Sequence, residues 1–121
     1  MIFPLILEKL SKKNIKKKTG IYLWLNNINN KSYVGKSVNL FNRLNKIYLS
    51  NSYILKNKDK MAICSAIHKY GIDKISFYIL EIIEKPKEEL DLLSYKEFLS
   101  IRENYWHSIV LLIHHIIFKL I

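Results

Sequence analysis

The sequence predicts an α+β domain: a small three-stranded antiparallel sheet flanked by helices. Three observations lead there. Short β-branched and aromatic runs flank an asparagine-rich turn between Gly20 and Gly35, as in a hairpin. Two stretches with apolar residues at helical spacing follow, one from Leu40 and one ending at Gly71. A third strand-like run, Ile75 to Ile83, then leads to a last helical region from Pro86. Strand, strand, helix, helix, strand, helix is the order of a sheet covered by helices.

In the hairpin, Tyr22 to Leu25 and Ser32 to Val34 are the strands, about the turn Asn26-Asn27-Ile28-Asn29. A symmetric register pairs Tyr22 with Tyr33, Ile21 with Val34, Gly20 with Gly35 and Trp24 with Lys31. Opposed residues share a face, so two phenols lie on one side while Ile21, Leu23 and Val34 turn to the other. Ser37 or Asn39 caps a helix beginning near Leu40, whose apolar stripe is Leu40, Phe41, Leu44, Ile47 and Tyr48. Arg43 falls at the edge of that stripe, where its stem can lie on the core and its guanidinium beside the sheet.

Asn51 to Lys60 reads as a polar loop, and Asp59 as the cap of a second helix. Ala62, Ile63, Ala66, Ile67 and Tyr70 share one face of that helix, His68 projects from the other, and Gly71 is an αL stop. Ile75 to Ile83 is rich enough in β-branched and aromatic residues to be a central strand. Glu88 and Glu89 suit the first turn of the helix that Pro86 opens. Its stripe comprises Tyr95, Phe98, Leu99, Ile101, Tyr105, Trp106 and Ile109, with Glu103 at one margin. Arg102 stands near the middle of the stripe, where a charge needs a partner, so a structural ion pair is expected. Ile109 to Ile121 is apolar but shorter than the roughly 20 residues a bilayer span takes. The organisation expected is a basic extension over 1–18, a domain over 19–108 and an apolar, divergent tail over 109–121.

Composition narrows the partners. At 121 residues the chain makes one domain with a real core, and its net charge of +10 favours a polyanion. The basic run Lys12 to Lys18 is either a solvated arm or a phosphate-binding one. The one cysteine, Cys64, excludes an intramolecular disulfide and a cysteine-based zinc site. Met1 to Leu7 is apolar, but its positive charge follows it, the wrong order for a secretory signal. Lys, Asn, Ile, Leu and Tyr abound, the residues of A/T-rich codons, which points to an A/T-rich genome such as an organellar one. Arg43 and Arg102 are the two arginines kept where lysine is the default.

Gly20-Ile21-Tyr22 followed by Tyr33-Val34-Gly35 resembles the pair of motifs that names the GIY-YIG nuclease superfamily. Arg43, Ala66-Ile67-His68-Lys69-Tyr70-Gly71, Ile79-Leu80-Glu81 and Arg102-Glu103-Asn104-Tyr105-Trp106 follow in the family's order. Each motif is weak alone; in sequence, on the predicted elements, they make a strong signal. The style is that of fungal mitochondrial group I intron-encoded homing endonucleases. The resemblance implies a GIY-YIG nuclease-like fold, a metal-dependent DNA endonuclease of intron-homing type, and a mitochondrial, organelle-encoded protein. No stable protein partner is implied, and a membrane is disfavoured.

By the same resemblance Tyr22 is the general base, Tyr33 positions water or phosphate, and Arg43 clamps the phosphate. Glu103 is catalytic as the ligand of one divalent ion, Mg²⁺ or Mn²⁺. One carboxylate suffices, because Mg²⁺ fills its remaining positions with water and substrate oxygens. Gly35, Lys36 and Lys69 are the DNA-binding candidates, Gly35 because a glycine lets the backbone approach closely. Isolated, the tyrosines would be a cross-strand aromatic pair and Glu103 an intrahelical partner; the ensemble carries the sharper reading. His68, His114, His115 and Cys64 are given no role. The sequence departs from the family where a functional histidine often stands, here Asn57-Lys58-Asp59-Lys60, and in having no asparagine after Asn104. The alternative is therefore a catalytically decayed, nucleic-acid-binding protein of this fold.

Overall fold

The computed structural model describes residues 18–48, 50–84 and 92–120, and of residues 46–48, 92–93 and 117–120 the backbone alone. Met1 to Leu7, Lys12 to Lys17, Pro86, Glu88, Glu89 and the side chains of Ile47 and Tyr48 lie outside it. The elements are β1 (Thr19–Asn26), β2 (Ser32–Ser37), α1 (Leu40–Tyr48), α2 (Asn51–Asn57), α3 (Ala62–Tyr70), a 3₁₀ turn (Ile72–Lys74), β3 (Ile75–Ile83) and α4 (Leu92–Leu120).

The three strands form one antiparallel sheet in the order β2-β1-β3. The expectation of β3 at the centre is thus corrected: β1 is central and β3 is an edge. The apolar run of β3 reflects helices on both faces of the sheet. Helices α1, α2 and α3 cover one face, where Trp24, Ile75, Phe77 and Ile79 meet Leu40, Leu44, Ile54, Ile63, Cys64 and Ile67. Among the described residues helix α4 alone covers the other, through Leu23, Leu25, Tyr78 and Val110, and through Ile21, Ile83, Tyr95 and Leu99.

The register of the hairpin differs from the symmetric one. Tyr22 pairs with Gly35, Leu23 with Val34 and Trp24 with Tyr33. The cause is the turn, which closes at Asn26 and Lys31: the Asn26 amide donates to the Lys31 carbonyl at 2.9 Å. Asn30 adopts a positive φ of 61°. The Asn26 and Asn29 side chains each accept a backbone N–H two residues on, the asparagine habit that builds such turns. The shift is two residues, so the faces survive it. Tyr22, Trp24, Tyr33 and Gly35 share one face, and Ile21, Leu23 and Val34 the other.

Asn39 caps α1 by accepting the Asn42 amide at 2.9 Å. The stretch read as a loop contains α2 instead. Ser50 caps it by accepting the Tyr53 amide at 3.2 Å, the Asn57 side chain donates to the Tyr53 carbonyl at 2.9 Å, and Ile54 is buried. Polar composition hid a helix of seven residues that needs one apolar anchor. Asp59 does not cap α3; that helix begins after Met61 with no side-chain cap. Gly71 does end it, with its N–H donating to Ile67, but at φ 91° and ψ 148° it lies outside the αL region.

The buried stripe of α4 is narrower than expected. Tyr95, Leu99 and Val110 are in the core, whereas Phe98, Ile101 and Tyr105 are 45, 62 and 47% exposed. A three-stranded sheet is too narrow to cover so broad an apolar arc. Residues 109–120, expected as a separate tail, continue α4, and Val110 packs on Leu23 and Leu25. No helix among the described residues is long and apolar enough to cross a membrane.

Candidate active site

Seven of the eight residues of β1 are buried; Tyr22 alone is partly open. Covered by helices on both sides, the central strand reaches solvent at a single phenol. Its ring stacks on Phe77 with centroids 5.5 Å apart and meets Trp24 edge-on at 6.5 Å. It lies over Gly35, where a Cβ would stand 2.8 Å from Tyr22 Cε1 and nearer still to the end of the ring. Gly35 is thus a glycine because Tyr22 occupies its side-chain space, a reason invisible before the register was known.

Two charges from different helices act on this phenol. Burial is the largest influence and pushes the Tyr22 hydroxyl above the usual tyrosine range; the Arg43 guanidinium from α1 opposes it, and Glu103 from α4 and Tyr53 from α2 reinforce it. Three helices therefore bring Arg43, Glu103 and Tyr53 within electrostatic reach of Tyr22. Three of the four were expected. Tyr53 was missed because its segment read as a loop, although the Ser50 cap three residues before it was a legible helix start.

Tyr33 stands diagonally across the hairpin from Tyr22 and belongs to a second group. Burial also raises its hydroxyl, with Tyr70 of α3 adding to the effect. Lys69 is exposed and holds its ammonium 5.1 Å from the centre of the Tyr70 ring. Lys36 points to the opposite face of the sheet, where its Nζ donates to Ser100 Oγ of α4 at 2.7 Å. Arg102 makes the expected ion pair: its Nε donates to Glu81 Oε1 at 2.8 Å, and Trp106 Nε1 donates to the same oxygen at 3.0 Å. His68 is exposed, His114 lies 3.3 Å from Ser32 Oγ, and Cys64 is buried and unoxidised.

The donor set bears on the metal. Among the described residues no three His, Cys, Asp or Glu side chains gather to hold an ion. A lone carboxylate, partly open to solvent, suits a hard ion that keeps most of its water. The residues present fit Mg²⁺ or Mn²⁺ and not a closed zinc site.

An arginine from α1 and a glutamate from α4 thus both act on the one open phenol of the aromatic hairpin face. The GIY-YIG catalytic domain family matches this chain over residues 18–108. The chain belongs to the GIY-YIG family. Within it, the Neurospora crassa protein named "Probable intron-encoded endonuclease 1" is 33% identical over 97 residues, which are 80% of this chain and 29% of that protein. The chain thus spans under a third of the length of that relative. Two structures of the catalytic domain of the intron endonuclease I-TevI resemble this GIY-YIG chain at 26% identity. Their TM-scores are 0.53 and 0.51; the match covers 77% of this chain and 84 or 88% of theirs. Membership in this catalytic-domain family agrees with the three-stranded antiparallel sheet and its helices.

Proposed function

We propose that this GIY-YIG chain is a DNA endonuclease domain of intron-homing type that hydrolyses phosphodiester bonds with one Mg²⁺ or Mn²⁺ held by Glu103. The observation that carries the proposal is the convergence of Arg43 and Glu103 on Tyr22, the one open residue of the central strand. When bound, the ion supplies Lewis-acid stabilisation of the charge that builds on the phosphate.

The protein's own groups divide the remaining work. Tyr22 carries its proton at neutral pH, since burial and Glu103 both hold it there. It acts as a relay, releasing its own proton to solvent water and then taking one from the attacking water, with Arg43 favouring the phenolate between the two transfers. Arg43, planar and always charged, also clamps the phosphate oxygens as charge develops. Tyr33 positions water or phosphate from the neighbouring strand. Lys69 at the Tyr33–Tyr70 flank and Lys36 on the α4 side meet the DNA backbone beyond the scissile phosphate, with Gly35 leaving the space that the Tyr22 ring fills. The A/T-biased composition and the intron-encoded relative support an organelle-encoded, mitochondrial origin.

The test is incubation of supercoiled plasmid with the protein in Mg²⁺, Mn²⁺ or EDTA. Metal-dependent conversion to nicked or linear DNA is expected. A second reading, a decayed binder, is favoured by the unbroken run of α4 to Leu120 with no asparagine after Asn104. It predicts DNA retention that weakens steeply with salt and no conversion in any metal.

A further inference from the structure

Apolar packing is non-directional. The contacts of Tyr95, Leu99 and Val110 with the sheet would permit α4 to turn or slide by a fraction of a helical turn. The electrostatic reach of Glu103 to Tyr22 depends on that setting, because Glu103 lies on the flank of the buried stripe and not in it. Directional bonds tie the helix to the sheet near both ends: Lys36 Nζ donates to Ser100 Oγ at 2.7 Å, and His114 Nε2 lies 3.3 Å from Ser32 Oγ; the network around Glu81 sits between them, next to Glu103.

The network around Glu81 is directional. Arg102 and Trp106, four residues apart on α4, donate to the same oxygen, Glu81 Oε1, at 2.8 and 3.0 Å. Two bonds from one helix to one oxygen of the sheet restrict both its axial and its rotational setting. The carboxylate and guanidinium are each about a quarter exposed, so the pair is only partly screened. Arg102 immediately precedes Glu103, so the clamp acts one residue from the carboxylate it orients.

Glu81 reaches α4 because β3 is irregular. Ile21 pairs with Glu81 and Tyr22 with Ile79, so Leu80 is an extra residue between them. With regular alternation Glu81 would face α1–α3; the bulge turns it to the α4 side. The bulged backbone comes so close to β1 that a Cβ on Gly20 would overlap the Glu81 carbonyl and stand 3.2 Å from Ile82 Cα. Gly20 is thereby accounted for: the first residue of the Gly20-Ile21-Tyr22 motif makes room for the bulge.

We propose that Glu81 is a positioning residue for the reaction: by accepting from Arg102 and Trp106 it helps fix the register of α4, and with it the place of Glu103 relative to Tyr22. This rests on the nuclease reading for its kinetic consequence, but its structural consequence stands apart.

The test compares Glu81→Leu, Glu81→Gln and Trp106→Phe with the wild-type chain, in crystal structures and in plasmid nicking. Gln keeps the accepting oxygen, Leu removes it, and Phe deletes one donor while keeping the ring. In Glu81→Leu, α4 is expected to leave its register and Glu103 to move from Tyr22. Its kcat should fall at least about tenfold while KM for DNA changes less than about twofold, the pattern of a lost transition-state interaction. Trp106→Phe should show the same split more weakly, and Glu81→Gln should restore kcat and register. Unmoved α4 with unchanged kcat in Glu81→Leu overturns the proposal. If Glu81→Leu does not fold, an unmoved helix in Trp106→Phe with unchanged kcat does so. A wild-type chain that nicks nothing removes the nuclease reading, and the helix register in the variant crystals then decides the proposal alone.

Discussion

The Tyr22 ring lies over Gly35, filling the space in which any other residue would place its side chain. The two motifs that define this hairpin are therefore one packing unit: the tyrosine of the first requires the glycine of the second. Gly35→Ala should displace the ring and, with it, the hydroxyl. Overpacking of this kind costs about 1–3 kcal/mol, and an ångström of misplacement costs about 10²-fold in rate. Thermal melts and plasmid nicking, run side by side, check both effects. A variant with wild-type nicking would mean that the hydroxyl's position does not matter.

Arg43 is the group that opposes the upward push on the Tyr22 hydroxyl, and it is one of two arginines in a lysine-rich chain. Arg43→Ala should lower kcat by about 10²–10³, the scale of removing one preorganised donor. Arg43→Lys should recover only part of this, because a point charge lacks the planar fork. Single-turnover nicking separates the step from DNA binding. Full recovery by lysine would show that charge alone is required.

Alkaline pH should weaken the fold through Tyr22. The unfolded chain releases this proton near pH 10, whereas the folded chain holds it to higher pH. Between the two values the folded state binds more protons, so stability present below about pH 10 is lost as pH rises through the folded value. Tyr33 and Cys64 are shifted upward as well and add to the loss. Urea midpoints at about pH 8 and about pH 10.5 should therefore differ less for Tyr22→Phe than for the wild-type chain. An equal difference in both would contradict the assignment.

The narrow stripe of α4 predicts a contrast between near neighbours. Leu99 is 3% exposed against Ile21, Ile83 and Tyr95, while Ile101 is 62% exposed. Leu99→Ala should cost about 2–5 kcal/mol and Ile101→Ala within about 0.5 kcal/mol. Chemical denaturation measures both, and similar costs would restore the broader stripe.

Much of this could be read in the sequence, and the limits have physical causes. The faces of the hairpin were legible because alternation survives a two-residue slip; the register was not, because it is set by where Asn26 and Lys31 close the turn. Arg102 announced its ion pair by standing as a charge in an apolar stripe, but its partner did not. Glu81 reaches it through a bulge, and no pattern in Ile75 to Ile83 marks where the extra residue falls. Tyr22, Arg43 and Glu103 were singled out through motif order, since residues on a strand and two distant helices share no local signal. Tyr53 was lost with the helix that carries it, short and polar enough to read as a loop.

The claim at the centre is that Tyr22 and Glu103 serve one reaction. Its most direct measurement is the rate of nicking of supercoiled plasmid across a Mg²⁺ titration, for the wild-type chain, Tyr22→Phe and Glu103→Ala. The expected result is metal-dependent nicking by the wild-type chain, its loss in both variants, and DNA binding retained in all three. Nicking that survives both substitutions would contradict it.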